Sequence, residues 1–275
     1  MPVLSKEDLE FWNENGYVVV REAVPPENCR AAEQAVWDFL EMDRENPDSW
    51  YPDPPRRSIM VEIYQHQALW NNRQYPRVHQ AFSEIWGTEK LLVSFDRASM
   101  NPPERDDWKF TGPYLHWDMS LDNMPVTLRV QGVLYLADTP GNQGAFTCVP
   151  GFHLTLEDWL NGLPSDANPG QSVREQFQDK AVPVAGKAGD LVIWHSALPH
   201  GSSPNSAVRP RMAQYITMSP APNEGKSTHE GRVRGWRERL TGLGKEQKEK
   251  EHHEGTTAEL TPLGKKLLGL DPWVA

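Results

Sequence analysis

The chain is 275 residues long, 38% hydrophobic and 24% charged, with a formal charge of -10 at pH 7. That length allows one large domain or two small ones, and the balance is that of a soluble globular protein. The negative charge argues against a partner bound along a nucleic-acid backbone, and no run of 18 apolar residues reads as a membrane span.

The opening residues, Met1-Pro-Val-Leu-Ser-Lys-Glu-Asp8, lack the apolar core of a signal peptide. Cys29 and Cys148 are too few for a disulfide scaffold and fit a reducing, cytoplasmic setting. Twenty-four prolines, 20 glycines and 11 tryptophans describe a chain broken into short elements, which favours a sheet-rich fold over a helical bundle.

In chain order, Ser5 caps a first helix that ends at Gly16, with Asp8 in the capping-box position and Leu9 and Trp12 on its apolar face. Tyr17–Val20 reads as a strand. Residues 26–42 read as an amphipathic helix with Cys29, Ala32, Val36, Phe39 and Leu40 inward. The proline-rich stretch 47–55 is loop, 75–86 is helical, and 90–95 is a strand. Residues 99–113 read as an excursion leading to a strand at 116–118. Further strands are expected at 129–135, 145–149, 182–184, 190–194 and 211–218, with a helix near 156–160 and a polar loop at 162–170.

From about residue 224 to 257 the chain is heavily charged and reads as solvent-exposed, whereas Leu263, Leu267, Leu268 and Trp273 mark a tail that packs back on the body. No boundary splits the chain, so a single domain over 1–275 is expected. Its fold class is mainly β with flanking helices, in a double-sheet jelly roll of the cupin-like kind.

His116 and Asp118 are one residue apart, so in an extended segment their side chains leave the same side. His200 follows the apolar strand ending at Trp194 and precedes Gly201, where the absence of a side chain permits close backbone approach. Two histidines and one carboxylate form the facial triad of non-haem Fe(II) oxygenases. A zinc hydrolase uses the same three donors plus water, and a binding protein on the same scaffold needs none of them.

An iron oxygenase of this kind takes a 2-oxo acid as co-reductant. Its far carboxylate needs a planar cationic fork, for which Arg211, opening a clean strand, is preferred to Arg209.

These stretches resemble the phytanoyl-CoA dioxygenase family of Fe(II)/2-oxoglutarate oxygenases. The resemblance rests on His116-Trp-Asp118, the strand 130–138 leading to Gly144, and Val149-Pro-Gly-Phe-His153. It continues through Ala188-Gly-Asp190, His200-Gly-Ser-Ser-Pro-Asn205 and Arg209-Pro-Arg211, with Phe11–Val20 as the opening helix and strand. It implies metal on His116, Asp118 and His200, and the 2-oxoglutarate C5 carboxylate on Arg211 with help from Ser202. The double-stranded β-helix is the fold it implies.

Asn101 is a candidate for the other end of 2-oxoglutarate, and Gln131 for a polar lining of the site. Arg97, Ser99 and Lys109 are candidate wall residues, while Trp117 points away from the ligands. His153 and His195 are read as structural. The implied reaction consumes O2 and 2-oxoglutarate, releases succinate and CO2, and hydroxylates a small molecule. Retention of Asp118 favours hydroxylation over halogenation, with desaturation and ring formation left open. Substrate identity and oligomeric state are not legible.

Overall fold

A computed structural model of the chain describes residues 2–51, 58–121, 127–221, 226–240 and 246–273. The end of the proline-rich loop expected over 47–55, and Lys245 in the charged run, lie outside the described residues.

Helix α1 (Lys6–Asn15) begins at a complete capping box. The Asp8 amide donates to Ser5 Oγ at 3.1 Å, and Asp8 Oδ2 accepts from the Ser5 amide at 2.8 Å. Gly16 ends the helix with φ at 75°, left-handed backbone that suits glycine. Helix α2 (Pro26–Leu40) buries Cys29, Ala32 and Val36, followed by α3 (Gln67–Arg73) and α4 (Pro76–Trp86). Later come α5 (Leu156–Asn161), α6 (Pro169–Phe177), α7 (Lys226–Arg237), α8 (Glu246–Glu254) and α9 (Pro262–Leu268).

The first five strands are β1 (Tyr17–Val20), β2 (Met60–Val61), β3 (Leu91–Val93), β4 (Ala98–Asn101) and β5 (Val130–Tyr135). The rest are β6 (Phe146–Cys148), β7 (Val182–Pro183), β8 (Leu191–His195), β9 (His200–Ser202), β10 (Arg211–Tyr215) and β11 (Met218–Pro220). A six-stranded antiparallel sheet runs β1-β8-β5-β10-β4-β2, beside a three-stranded sheet β7-β6-β9 and a pair β11-β3.

The mainly-β expectation is overturned. Helix accounts for 36% and strand for 19%, and among the described residues no sheet closes into a barrel or a double-stranded β-helix. The physical reason lies in what the prolines do. Pro26, Pro47, Pro76, Pro169 and Pro262 each open a helical segment, where a missing N–H leaves no bond unmade. Residues that read as turn punctuation between strands are therefore helix starts, as at Pro169, where a polar loop was expected.

Strand parity divides the large sheet into two faces. Leu134, Leu191, Ile193 and Met212 join the core under α2, α3, α4 and α9. Their neighbours Val133, Tyr135, Val192, Trp194 and Ala213 face the other way and pack with Phe146 and Cys148 of the three-stranded sheet. By the same alternation Gln131, Arg211 and Tyr215 share the second face, the one on which the site is built.

Leu267 and Leu268 are fully buried, Trp273 Nε1 donates to the Leu91 carbonyl at 2.9 Å, and its ring stacks on His79. Burying each leucine contributes about 1.5–3 kcal/mol. The charged run is not merely a solvated face. Glu251 is 7% exposed and accepts from the amides of Tyr64 and Gln65, each at 2.7 Å. Among the described residues, no helix is long and apolar enough to cross a membrane.

Candidate active site

The segment carrying His116 and Asp118 is no regular strand. One antiparallel bridge joins it to β9, with the His116 amide donating to the His200 carbonyl and the reverse, both at 3.0 Å. Residues directly opposed in such a bridge send their side chains to the same side. The two imidazole centroids are accordingly 4.7 Å apart.

A third bond, Ser202 N–H to the Pro113 carbonyl at 2.9 Å, continues the contact. Between them sits Gly201, where an added Cβ would lie 2.6 Å from the Pro113 oxygen. No other residue permits this approach without moving the histidines.

Asp118 completes the cluster, its Oδ1 lying 3.4 Å from His116 Nε2 and its Oδ2 3.3 Å from His200 Nε2. The donor atoms of all three lie within 4.8 Å of one another. The other ring nitrogens face backbone carbonyls, His116 Nδ1 that of Tyr114 at 2.7 Å and His200 Nδ1 that of Leu198 at 3.0 Å. This pattern keeps a proton on each Nδ1, and the Nε2 atoms, which here meet Asp118, are the positions a metal would take. Gln131 Nε2 donates to Asp118 Oδ2 at 2.8 Å, fixing the carboxylate from the sheet side.

Bonds from His116 and His200 hold the Asp118 carboxyl well below the usual carboxylate range. Burial lowers the His116 imidazole pKa, but the bonds to Asp118 and the Tyr114 carbonyl outweigh it, and the net shift is upward. The donor set, the fixed tautomers and the ionised carboxylate fit a divalent iron centre.

Around the cluster lies a cavity of about 450 Å³, lined by the three donors and by Gln131, Ser202 and Asp96 among others. Phe146 and Trp194 stand against His200 with ring centroids 6.0 and 5.0 Å away. Behind Ser202 is Arg211, 1% exposed, whose Nη2 donates to Ser202 Oγ at 2.9 Å and whose Nε donates to the Gly144 carbonyl at 3.0 Å. Its Nη1 donates to Ser99 Oγ. None of these partners is a carboxylate, and among the described residues Arg211 joins no ion pair.

Asn101 is fully buried beside Arg211 in the β4–β10 register. Its amide donates to the Ser203 carbonyl at 3.2 Å, and it does not line the cavity. Arg97 lines the cavity and is paired with Glu62, whereas Lys109 is exposed and outside it.

Trp117 turns away, its Nε1 donating to the Ala197 carbonyl at 2.9 Å and its ring packing near Phe152 and Trp159. His153 and His195 stand together beside α1, with ring centroids 5.3 Å apart. Sequence reading missed Phe146, Trp194, Tyr215 and Asp96 as cavity residues. For Tyr215 the signal was available, since it is four residues from Arg211 on one strand. Asp96 sits between strands, where no periodicity marks it.

Comparison with known proteins agrees with this geometry. The family described as phytanoyl-CoA dioxygenase (PhyH) matches residues 12–213. A Dictyostelium discoideum protein that bears the phytanoyl-CoA dioxygenase name is 25% identical over 265 residues, covering 77% of this chain and 74% of its own. Ava biosynthesis cluster protein O of Aspergillus versicolor is 28% identical over 237 residues, covering 77% and 76%.

The crystal structure of JW0805 from Escherichia coli superposes with a TM-score of 0.69 at 18% identity, over 98% of this chain and 82% of that one, so the fold is shared. With the two histidines and the aspartate gathered at one point, the chain belongs to the phytanoyl-CoA dioxygenase family, and it is an Fe(II)- and 2-oxoglutarate-dependent dioxygenase.

Proposed function

We propose that the enzyme hydroxylates an unactivated C–H bond of a small-molecule metabolite, with His116, Asp118 and His200 as the metal ligands and Arg211 with Ser202 as the cradle for the 2-oxoglutarate C5 carboxylate. The observation that carries this reading is Arg211. A fully buried guanidinium without a carboxylate partner is costly, and a ligand carboxylate that completes its charge gives the cost a purpose. The relative named for a biosynthetic cluster supports a metabolite substrate. Two buried, unpaired cysteines support a cytoplasmic setting.

Iron with 2-oxoglutarate supplies the oxidation of a C–H bond by O2. The chain's own residues do the rest. His116 and His200 would offer their Nε2 atoms to the metal, because Nδ1 of each is engaged by a backbone carbonyl. Gln131 keeps Asp118 in its ligating orientation. Phe146 and Trp194 exclude water beside His200. Arg211 and Ser202 orient the co-substrate by its far end, which holds its reactive end at the triad.

The protein mixed anaerobically with Fe(II) and 2-oxoglutarate should develop the visible absorption of the chelate, which zinc does not give, and in air it should release succinate. His200→Ala should remove both. A parent protein showing neither band nor succinate would end this reading.

A further inference from the structure

One more acidic side chain faces the space around the triad. Asp96 follows β3 and lines both the triad cavity and an adjoining cavity of about 650 Å³, and the two share Asp118, Gln131 and Thr217 as well. The backbone around Asp96 is pinned from several sides. The Ser94 amide donates to the Thr217 carbonyl at 2.8 Å, the Tyr215 amide to the Arg97 carbonyl at 2.9 Å, and Arg73 to the carbonyl of Asp96 itself.

The carboxylate, by contrast, is little used. Among the described residues it accepts one hydrogen bond, from the Arg97 amide at 2.8 Å, while the Arg97 guanidinium is spent on Glu62 at 3.0 Å. A carboxylate offers about four acceptor sites, so most of this one's capacity is open. This places a rigidly mounted acceptor at the boundary of two cavities that Asp118 also lines. Burial also pushes the Asp96 carboxyl pKa up, which a donor from a bound molecule would offset.

We propose that Asp96 is the substrate anchor: it accepts a hydrogen bond from a hydroxyl or amino group of a substrate lying in the outer cavity, with the carbon to be oxidised turned toward His116, Asp118 and His200. This rests on the oxygenase reading above. The substrate class is therefore a small alcohol or amine, and the outer wall beyond the anchor includes Trp86, Leu128 and Pro220 for its apolar part.

The test uses the full chain loaded anaerobically with Fe(II) and 2-oxoglutarate. Its visible band is titrated with cyclohexanol, cyclohexylamine and cyclohexyl methyl ether, and with benzyl alcohol, benzylamine and benzyl methyl ether. The ethers keep the shape and lose the donor. The expected result is that alcohols or amines perturb the band and their ether twins do not, and that Asp96→Ala weakens this binding by roughly ten- to a hundredfold.

Asp96→Asn keeps an acceptor for the Arg97 amide, so it separates the anchor from a merely structural role. Loss of amine binding with alcohol binding retained identifies a charge-assisted contact, and loss in Asp96→Ala alone identifies a neutral one. Ethers binding as well as their twins, no probe perturbing the band, or parental affinity in Asp96→Ala each overturn the assignment. A parent protein with no chelate band signals failure of the oxygenase reading instead.

Discussion

Two arginines are fully buried, Arg73 at the end of α3 and Arg211 at the start of β10, and they are held in different ways. Arg73 donates to the carbonyls of Tyr64 and Asp96 and lies over the Trp70 ring at 5.3 Å. Burial pushes its pKa down to about 10. Arg211 instead meets two hydroxyls and one carbonyl, and one of those hydroxyls belongs to Ser202, which lines the active-site cavity. Backbone carbonyls cannot turn away, so Arg73 ties three chain segments together permanently. Hydroxyls rotate, so the partners of Arg211 can re-aim when an anion arrives. One buried charge belongs to the fold and the other to the ligand.

That contrast is open to direct attack. Arg73→Met should destabilise the protein by about 3 kcal/mol, because it orphans buried carbonyls, and thermal unfolding will read this. Arg211→Met should lower the melting temperature less than Arg73→Met, since removing an uncompensated buried charge offsets the lost bonds to Gly144, Ser99 and Ser202. The same variant should raise the KM for 2-oxoglutarate about a hundredfold. Equal loss of stability in the two variants would dissolve the distinction. Ser202→Ala sharpens it further, with an expected tenfold loss of 2-oxoglutarate affinity, worth about 1.4 kcal/mol, and little change in unfolding.

The smallest effect concerns His195, on the helix-facing side of β8. Burial, with repulsion from His153, pushes its pKa down to about 4. The folded state therefore holds His195 neutral where the unfolded chain would take up a proton. Its stability is fully present above about pH 6.5 and is lost as pH falls through the window toward 4, by about 1 kcal/mol. Urea unfolding of His195→Gln across that window should show a flatter profile than the parent.

The chemistry was more legible in the sequence than the architecture. His116, Asp118 and His200 carry short-range signals, namely same-side spacing and a glycine after the distal histidine. The expected strand at 116–118, however, is a single bridge, because Gly201 lets β9 supply the pairing that a longer ladder would otherwise give. The helices α3 and α6 were missed, since Asn and Gln residues and an opening proline imitate loop composition. The run ending at Glu254 reads as solvent-facing by charge alone. No local pattern reveals that Glu251 meets two amides of residues almost two hundred positions earlier.

That last contact ties the charged run to the cavity through a chain of hydrogen bonds. Glu251 grips the amides of Tyr64 and Gln65, the Tyr64 hydroxyl donates to Glu62, and Glu62 holds Arg97 at the cavity. Trimming the polypeptide after residue 240 to tidy an expression clone would thus loosen a relay that ends beside the metal.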